Sequence, residues 1–392
     1  MKILTNFYFD LNGTKSFISG TKSQQDIFQN FLKNKGNYEL FGLFAKRADS
    51  GEEFKTISPK ENFYGLALPP NYSQESAEKC SSLELRECFS EAFRFIDSVF
   101  ERVVPDIVFL NGFSWLACLL GWRAQEKEIP VVFIHAGLTF KEFDLYRDYL
   151  GDKQADAILK GEKSLALNRK CFHIFLNEFS RNVYEKEFLK QKCPNCFIVP
   201  LGASFDFHCP AKRSAVRSKI KVGLIGRWDR IKNHQAFLNL AKHARSENVP
   251  AEFFAITRIP EKTKALGISR SDYYAYVEVR DLMPREDLWK FYQEMDVVVC
   301  PSLFDVSPHT VLESIICGTP ALISPNVGYV DLYRKFKLEH WIDDFSDPAE
   351  TMEKIERISL EKISPELISW IKEEYDPETV FEKYLEIINL AS

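Results

Sequence analysis

The sequence predicts an α/β protein built from two successive doubly wound halves, and three observations carry that prediction. Strand-like apolar runs alternate with helix-period patterns nearly throughout. The alternation lapses near residues 208–219, where "HCPAKRSAVRSK" gains charge and loses periodicity, and then restarts. The chain has 392 residues, 45% hydrophobic and 27% charged, enough to bury more than one core.

In the first half, "KILTNFYF" reads as an opening strand. The helix "GTKSQQDIFQNFLKN" follows, with Ile27, Phe28, Phe31 and Leu32 on one apolar stripe. Next come the strand "YELFGLF", a long helix over "LRECFSEAFRFIDSVFERV", the strand "DIVFLNG", the helix "FSWLACLLGWRAQEK" and the strand "VVFIHAG". "HIFLNEFS" and "FIVPLG" complete the half. "IKVGLIG" opens a second series that runs through "AEFFAIT", "YAYVEV", "MDVVVCP" and "TPALISP". The closing segment "YDPETVFEKYLEIINL" has apolar residues at helical spacing. Domains are expected at 1–208 and 209–372, with a last helix over 373–392.

Composition narrows the function. A formal charge of -5 argues against bulk attraction to nucleic acid, so an anionic ligand has to be met locally. The N-terminus lacks the apolar run and small-residue cleavage site of a signal peptide, and no stretch approaches the roughly 18 apolar residues of a membrane span. Nine cysteines, scattered from Cys80 to Cys317, read as thiols of a reducing cytoplasm. "CPNC" at Cys193 and Cys196, with His208 and Cys209 downstream, has the wrong spacing for zinc because its second pair is adjacent, so no metal site is expected.

The chemistry concentrates in the second half. "DVSPHTVLE", residues 305–313, follows the buried-type strand "MDVVVCP". Ser307 at the cap, Pro308 at the first helical position, and Gly318 and Pro320 at the far end bracket a helix. Val311, Leu312, Ile315 and Ile316 make its core stripe, which turns Thr310 and Glu313 to the opposite side. Free first-turn amides of His309 and Thr310, with the positive helix end, suit phosphate, while Asp305 and Glu313 on either side suit hydroxyls. A ligand with phosphates in the middle and hydroxyls at both ends is a nucleotide sugar. "GLIGRWDRIKNHQ" agrees: Gly226, Arg227 and Lys232 lie in a loop at the carboxyl end of a first strand, ahead of a helix capped by Asn233. Two cations there can neutralise a diphosphate leaving group.

At these residues the chain resembles the GT-B glycosyltransferases, specifically the retaining glycosyltransferase family 4 (glycosyl transferases group 1). The similar stretch runs from "GLIGRWDRIKN" through "PSLFDVSPHTVLESIICGTPALIS" to "NVGYVDL", and the family's E-x7-E motif falls on Asp305 and Glu313. The resemblance implies two Rossmann-like domains facing a central cleft, an N-terminal one for the acceptor and a C-terminal one for the donor, with the last helix returning to the first. It implies that Glu313 bonds the donor ribose, that Asp305 and the segment Ser307, Pro308, His309 and Thr310 contact sugar and diphosphate, and that Arg227 and Lys232 bind the diphosphate. It places His135 of "VVFIHAG" near the donor sugar and Gly20 of "SFISGTKSQQ" in a glycine-rich loop lining the cleft. The nucleobase is expected near Arg280 and Asp281. Asp305 is one methylene shorter than the family's usual Glu.

The implied reaction is transfer of a sugar from a nucleoside diphosphate to a hydroxyl with retention, metal-independent because no D-x-D motif occurs. The expected partners are a nucleotide-sugar donor and a glycan or lipid-linked acceptor, in assembly of cell-surface polysaccharide, glycolipid or glycoprotein glycan. The basic segment "LKGEKSLALNRK" is a candidate for peripheral contact with an anionic membrane. Two alternatives stay open: a sugar-nucleotide epimerase of the same fold, and a noncatalytic sugar-nucleotide binding protein. A tandem Rossmann dehydrogenase would need G-x-G-x-x-G after a first strand, which is absent.

Overall fold

In the computed structural model, which describes residues 1–7, 20–47, 55–57, 62–68, 80–112, 114–203, 205, 218–260 and 266–392, the chain divides into two units. The first comprises Met1–Gly202 with Pro377–Ser392, and the second Ala203–Asp376. The expected boundaries were 208 and 372; the linker proposed over 208–219 lies largely outside the described residues.

The first unit holds strands β1 (Lys2–Asn6), β2 (Glu39–Arg47), β3 (Lys55–Ile57), β4 (Phe63–Leu68), β5 (Ile107–Asn111), β6 (Val131–His135), β7 (Cys171–Phe175) and β8 (Cys196–Ile198) in the order β3-β4-β2-β1-β5-β6-β7-β8. All neighbours are parallel except β3 against β4. A parallel sheet covered on both faces needs unbroken apolar strands, and β5 and β6 are buried at every position. The Trp115–Glu126 helix is apolar nearly all round and is packed inside, its Gly121 approaching Leu110 and Leu165 so closely that a Cβ would collide with both. The single helix expected over 85–103 is two, Leu85–Cys88 and Ser90–Val103, broken at Phe89. The Pro377–Ala391 helix packs in this unit: Phe381 lies 5.0 Å from Phe28 between ring centroids, and the Tyr384 hydroxyl donates to the Pro200 carbonyl at 2.9 Å.

The second unit holds β9 (Ile220–Ile225), β10 (Ala251–Ile256), β11 (Glu278–Arg280), β12 (Val297–Cys300) and β13 (Ala321–Ile323), all parallel, in the order β11-β10-β9-β12-β13. The order reverses at β9 and β12, whose carboxyl ends therefore flank the switch point where such sheets bind ligands. The first half of the strand expected over "YAYVEV" is the end of a helix, Arg270–Tyr276, and β11 starts only at Glu278. Ser269 caps it by accepting from the Asp272 amide at 3.0 Å, and Tyr273 is fully buried on its inner face.

Cys80 and Cys88 are joined in a disulfide, which corrects the reading of all nine as thiols; their Cα atoms stand 5.2 Å apart, within bridging range. Cys118, Cys171, Cys193, Cys196, Cys300 and Cys317 are free. Among the described residues no helix is long and apolar enough to cross a membrane, and no group of three or more His, Cys, Asp or Glu side chains could hold a metal.

Candidate active site

The loop after β9 is pinned before it presents any charge. The Gly226 amide donates to the Ile256 carbonyl at 3.2 Å, and the Leu303 amide donates to the Ile231 carbonyl at 2.8 Å. Asn233, at φ 51°, caps the His234–Ser246 helix through its side chain, whose Nδ2 donates to the Pro301 carbonyl at 3.1 Å. A Cβ at Gly226 would come within 3.1 Å of the Lys232 Cγ, so the missing side chain gives Lys232 its path across the strand end.

Lys232 and Asp305 form an ion pair, with their side chains 20% and 16% exposed. Burial is the largest single influence on Lys232 and lowers its pKa, but the charge and hydrogen bond of Asp305, with Cys300, together outweigh it and the net shift is upward; the nearby Arg227 charge opposes that shift. Asp229 holds the loop's interior by accepting from the Lys232 amide at 3.0 Å and pairing with the Arg227 Nε at 3.0 Å. The Arg227 side chain is 65% exposed. Asp305 is fixed through its backbone, donating to the Asn326 carbonyl at 3.1 Å and accepting from the Gly328 amide at 2.8 Å.

Beyond Asp305 the His309–Ile316 helix begins one residue later than expected. Pro308, not Ser307, is its cap residue, because the Ser307 hydroxyl is engaged with the Tyr329 hydroxyl at 2.8 Å. His309 and Thr310 occupy the first turn, at the positive end of the helix. Glu313 is not on a solvated flank. The helix is buried from Val311 to Ile316, and Glu313 accepts from the Tyr292 hydroxyl at 2.7 Å. A buried carboxylate needs such a donor, and Tyr292 reaches it from the Arg285–Glu294 helix.

The structure therefore brings Gly226, Arg227, Lys232 and Asp305 together at one strand end, with Ser307 to Thr310 following directly in chain. Arg280 is otherwise occupied: its guanidinium bonds Glu294 at 2.7 and 3.2 Å and Glu278 at 2.9 Å, over the Phe254 ring. Those bonds hold Glu294 down to about 2.

Gly20 and His135 belong to the first unit. Gly20 is the first residue of the Gly20–Lys35 helix, and the segment before it lies outside the described residues. His135 is 1% exposed and sits among Phe133, Phe175 and Tyr184, with ring centroids 4.2, 4.3 and 4.7 Å away. Its Nε2 lies 2.9 Å from the Nδ1 of His173. Burial lowers both imidazoles, His173 to about 4, so the bond joins two neutral rings. Close by, the Tyr184 hydroxyl donates to Glu162 at 3.1 Å, and burial lifts that carboxyl to about 7 against the pull of Thr139 and Tyr184. Asp229, Tyr292 and His173 escaped the sequence reading, since each matters through a partner and not through a motif.

Known proteins bear on this geometry. Residues 211–374 match the family model for glycosyl transferases group 1. No curated protein matches the chain. The solved structure of sucrose-phosphate synthase from Thermosynechococcus elongatus is similar at 14% identity and a TM-score of 0.70, over 99% of this chain and 98% of that one. A trehalose-6-phosphate structure from E. coli, bound with UDP-2-fluoro glucose, is similar at 12% identity and 0.65, over 98% of each chain. The UDP-forming α,α-trehalose-phosphate synthase from Burkholderia xenovorans, in complex with glucose-6-phosphate, is similar at 11% and 0.62, over 98% of this chain and 99% of that one. The fold is thus the mixed α/β fold of the GT-B proteins with two Rossmann-like units, the second matches the glycosyl transferases group 1 model, and the chain is a glycosyltransferase.

Proposed function

We propose that the protein transfers a sugar from a nucleoside-diphosphate sugar to a hydroxyl acceptor, with retention of anomeric configuration and without a metal ion. The observation that carries the reading is the Lys232–Asp305 pair at the carboxyl end of β9, beside Arg227 and just ahead of the His309–Ile316 helix. As the glycosyl bond breaks, charge collects on the diphosphate. Lys232, Arg227 and the first-turn amides of His309 and Thr310 then hold that charge, and preorganised donors of this kind are the largest common source of rate enhancement. Asp305 orients the sugar, and Glu313, steadied by Tyr292, meets the ribose. The described site offers no nucleophile and acid carboxylates as a retaining glycosidase would, so the reading has the departing diphosphate oxygen take the acceptor proton.

For the acceptor, a glycan or lipid-linked hydroxyl in polysaccharide, glycolipid or glycoprotein assembly is proposed, with the work done in the cytoplasm or at the inner face of a membrane. A sugar phosphate is the second reading, supported by the glucose-6-phosphate bound to the Burkholderia xenovorans synthase. The test is a thermal-shift panel of UDP, GDP, ADP and CMP sugars followed by turnover with the stabilising donor, with and without EDTA. One nucleotide class should raise Tm, and EDTA should leave turnover unchanged; an absolute need for manganese would overturn metal independence. Asp305→Asn should slow transfer while donor binding persists. An unaffected rate removes Asp305 from the chemistry, and donor binding without turnover by any acceptor favours a noncatalytic binding protein.

A further inference from the structure

Behind the cationic loop lies a buried set of rings that the proposed chemistry does not use. His234, the first residue of its helix, is fully buried. Its Nε2 is 2.8 Å from the Arg227 carbonyl oxygen and its Nδ1 is 2.9 Å from the Tyr273 hydroxyl. A carbonyl only accepts, so the imidazole proton resides on Nε2; Nδ1 is then a lone pair and accepts from Tyr273. Trp228 covers the imidazole at 4.5 Å between centroids and meets the Tyr273 ring edge-on at 4.8 Å. Burial holds His234 down to about 4, against the upward pull of the Arg227 carbonyl and Asp229 and with the help of Lys232, so the ring is neutral near pH 7.

The carbonyl tether matters because of where it falls. The loop's two ends are pinned at Gly226 and Ile231, and Arg227 begins the stretch between them. A long exposed side chain that clamps a ligand gives up roughly 2 kcal/mol of rotamer freedom. A backbone free to move at the same residue would add to that cost, and fixing it in advance removes the addition.

We infer that His234, held in its Nε2–H tautomer by the Arg227 carbonyl and steadied by Tyr273, is a positioning residue that fixes the backbone at Arg227 and thereby aims its guanidinium at the diphosphate of a bound nucleotide. This rests on the reading of Arg227 as a diphosphate ligand. The arrangement explains why a histidine with no route to solvent sits directly behind that loop: it acts on the ligand through the main chain.

The test measures UDP, GDP and ADP affinity by calorimetry for the wild type, Tyr273→Phe, His234→Gln, Arg227→Ala and the double variant His234→Gln/Arg227→Ala. His234→Gln should weaken the preferred diphosphate about tenfold, one hydrogen bond's worth, and Tyr273→Phe about threefold. With Arg227 already Ala, His234→Gln should add less than about twofold, since its effect passes through that side chain. A merely structural role would instead give an additive loss, which overturns the inference, as would two single variants with unchanged affinity. The tautomer provides a measurement that needs no variant: the imidazole nitrogen shifts of the wild type at pH 7 should report Nε2–H, and Nδ1–H would overturn the lock. A wild type that binds none of the three diphosphates sinks the diphosphate reading together with this one, whereas binding with unmoved variants sinks this one alone.

Discussion

The two units treat the polar groups at their strand ends in opposite ways. In the second, Lys232 and Asp305 pair at a partly open position, and Arg227 stays mostly exposed beside them. In the first, His135, His173, Tyr184 and Glu162 are sealed from solvent and bonded among themselves. An ion pair that keeps some contact with solvent, its side chains 20% and 16% exposed, has room to exchange partners with an anion and a hydroxyl. A sealed set of buried groups has no such exchange available, and its members hold one another in place. On the proposed reading the difference separates a site, at the carboxyl ends of β9 and β12, from a scaffold gathered around the last residue of β6.

The largest effect should come from breaking the open pair. Lys232→Ala removes the cation of that pair and leaves Asp305 without its partner, so turnover should fall by about a hundredfold or more, the scale of losing a preorganised donor. His135→Gln is the matching change in the sealed network. It should cost about 2 kcal/mol of stability from lost ring packing and an unpaired His173, with turnover falling less than about tenfold. Steady-state kinetics beside urea denaturation checks both. If His135→Gln matched Lys232→Ala in turnover at unchanged stability, the sealed group would be a sugar contact after all.

The next effect tests how dry the first unit is. Burial pushes the Glu162 carboxyl up from its ordinary 4.5, the value it keeps when unfolded, to about 7 in the fold. Its raised pKa means the stabilisation is complete below pH 4.5 and is lost as pH rises through 7, about 3 kcal/mol in all. His173, lowered to about 4, has the opposite sign and gains stability as pH rises from 4 to 6.5. Glu162→Gln abolishes the first contribution and keeps the second. The variant should therefore gain on the wild type by about 3 kcal/mol between pH 4 and 8 in urea midpoints. A parallel pair of pH profiles would mean that water already reaches Glu162.

Much of the second unit was legible because its signals are local. Gly226, Arg227 and Lys232 follow a strand within seven residues, and Asp305 and Glu313 are separated by a fixed interval across one strand-to-helix turn. Local sequence sets those positions whatever packs around them. The burial of Glu313 was not legible, because it depends on Tyr292 arriving from a different helix. His135 carried a readable warning: in β6 both faces are apolar, so a side chain ending that run was bound for the interior. Its partner His173, 38 residues on, gave none. The helix over Arg270–Tyr276 was also within reach, since Ser269 and Asp272 have capping-box spacing, but three tyrosines close to a valine resembled a strand. The Cys80–Cys88 disulfide follows a stretch outside the described residues, and counting cysteines alone could not pair them.

The smallest effect sharpens the boundary of the site at Arg280, a donor-side candidate whose side chain is already committed to Glu294 and Glu278. Its fork meets both oxygens of Glu294, with Glu278 on the Nε, while its face covers Phe254 at 4.8 Å and Phe291 at 5.6 Å. Lysine keeps the charge and loses the fork and the flat face, so Arg280→Lys should cost about 1 kcal/mol or less at this partly solvated position, with a dependence on salt. Nucleotide affinity should stay within about twofold, because any base reading near β11 would fall to the backbone, which the substitution leaves in place. Denaturation at low and high ionic strength, with calorimetry of the preferred diphosphate, separates the two roles. A tenfold loss of affinity at unchanged stability would put the Arg280 guanidinium on the nucleotide and extend the site from the β9 and β12 ends to β11.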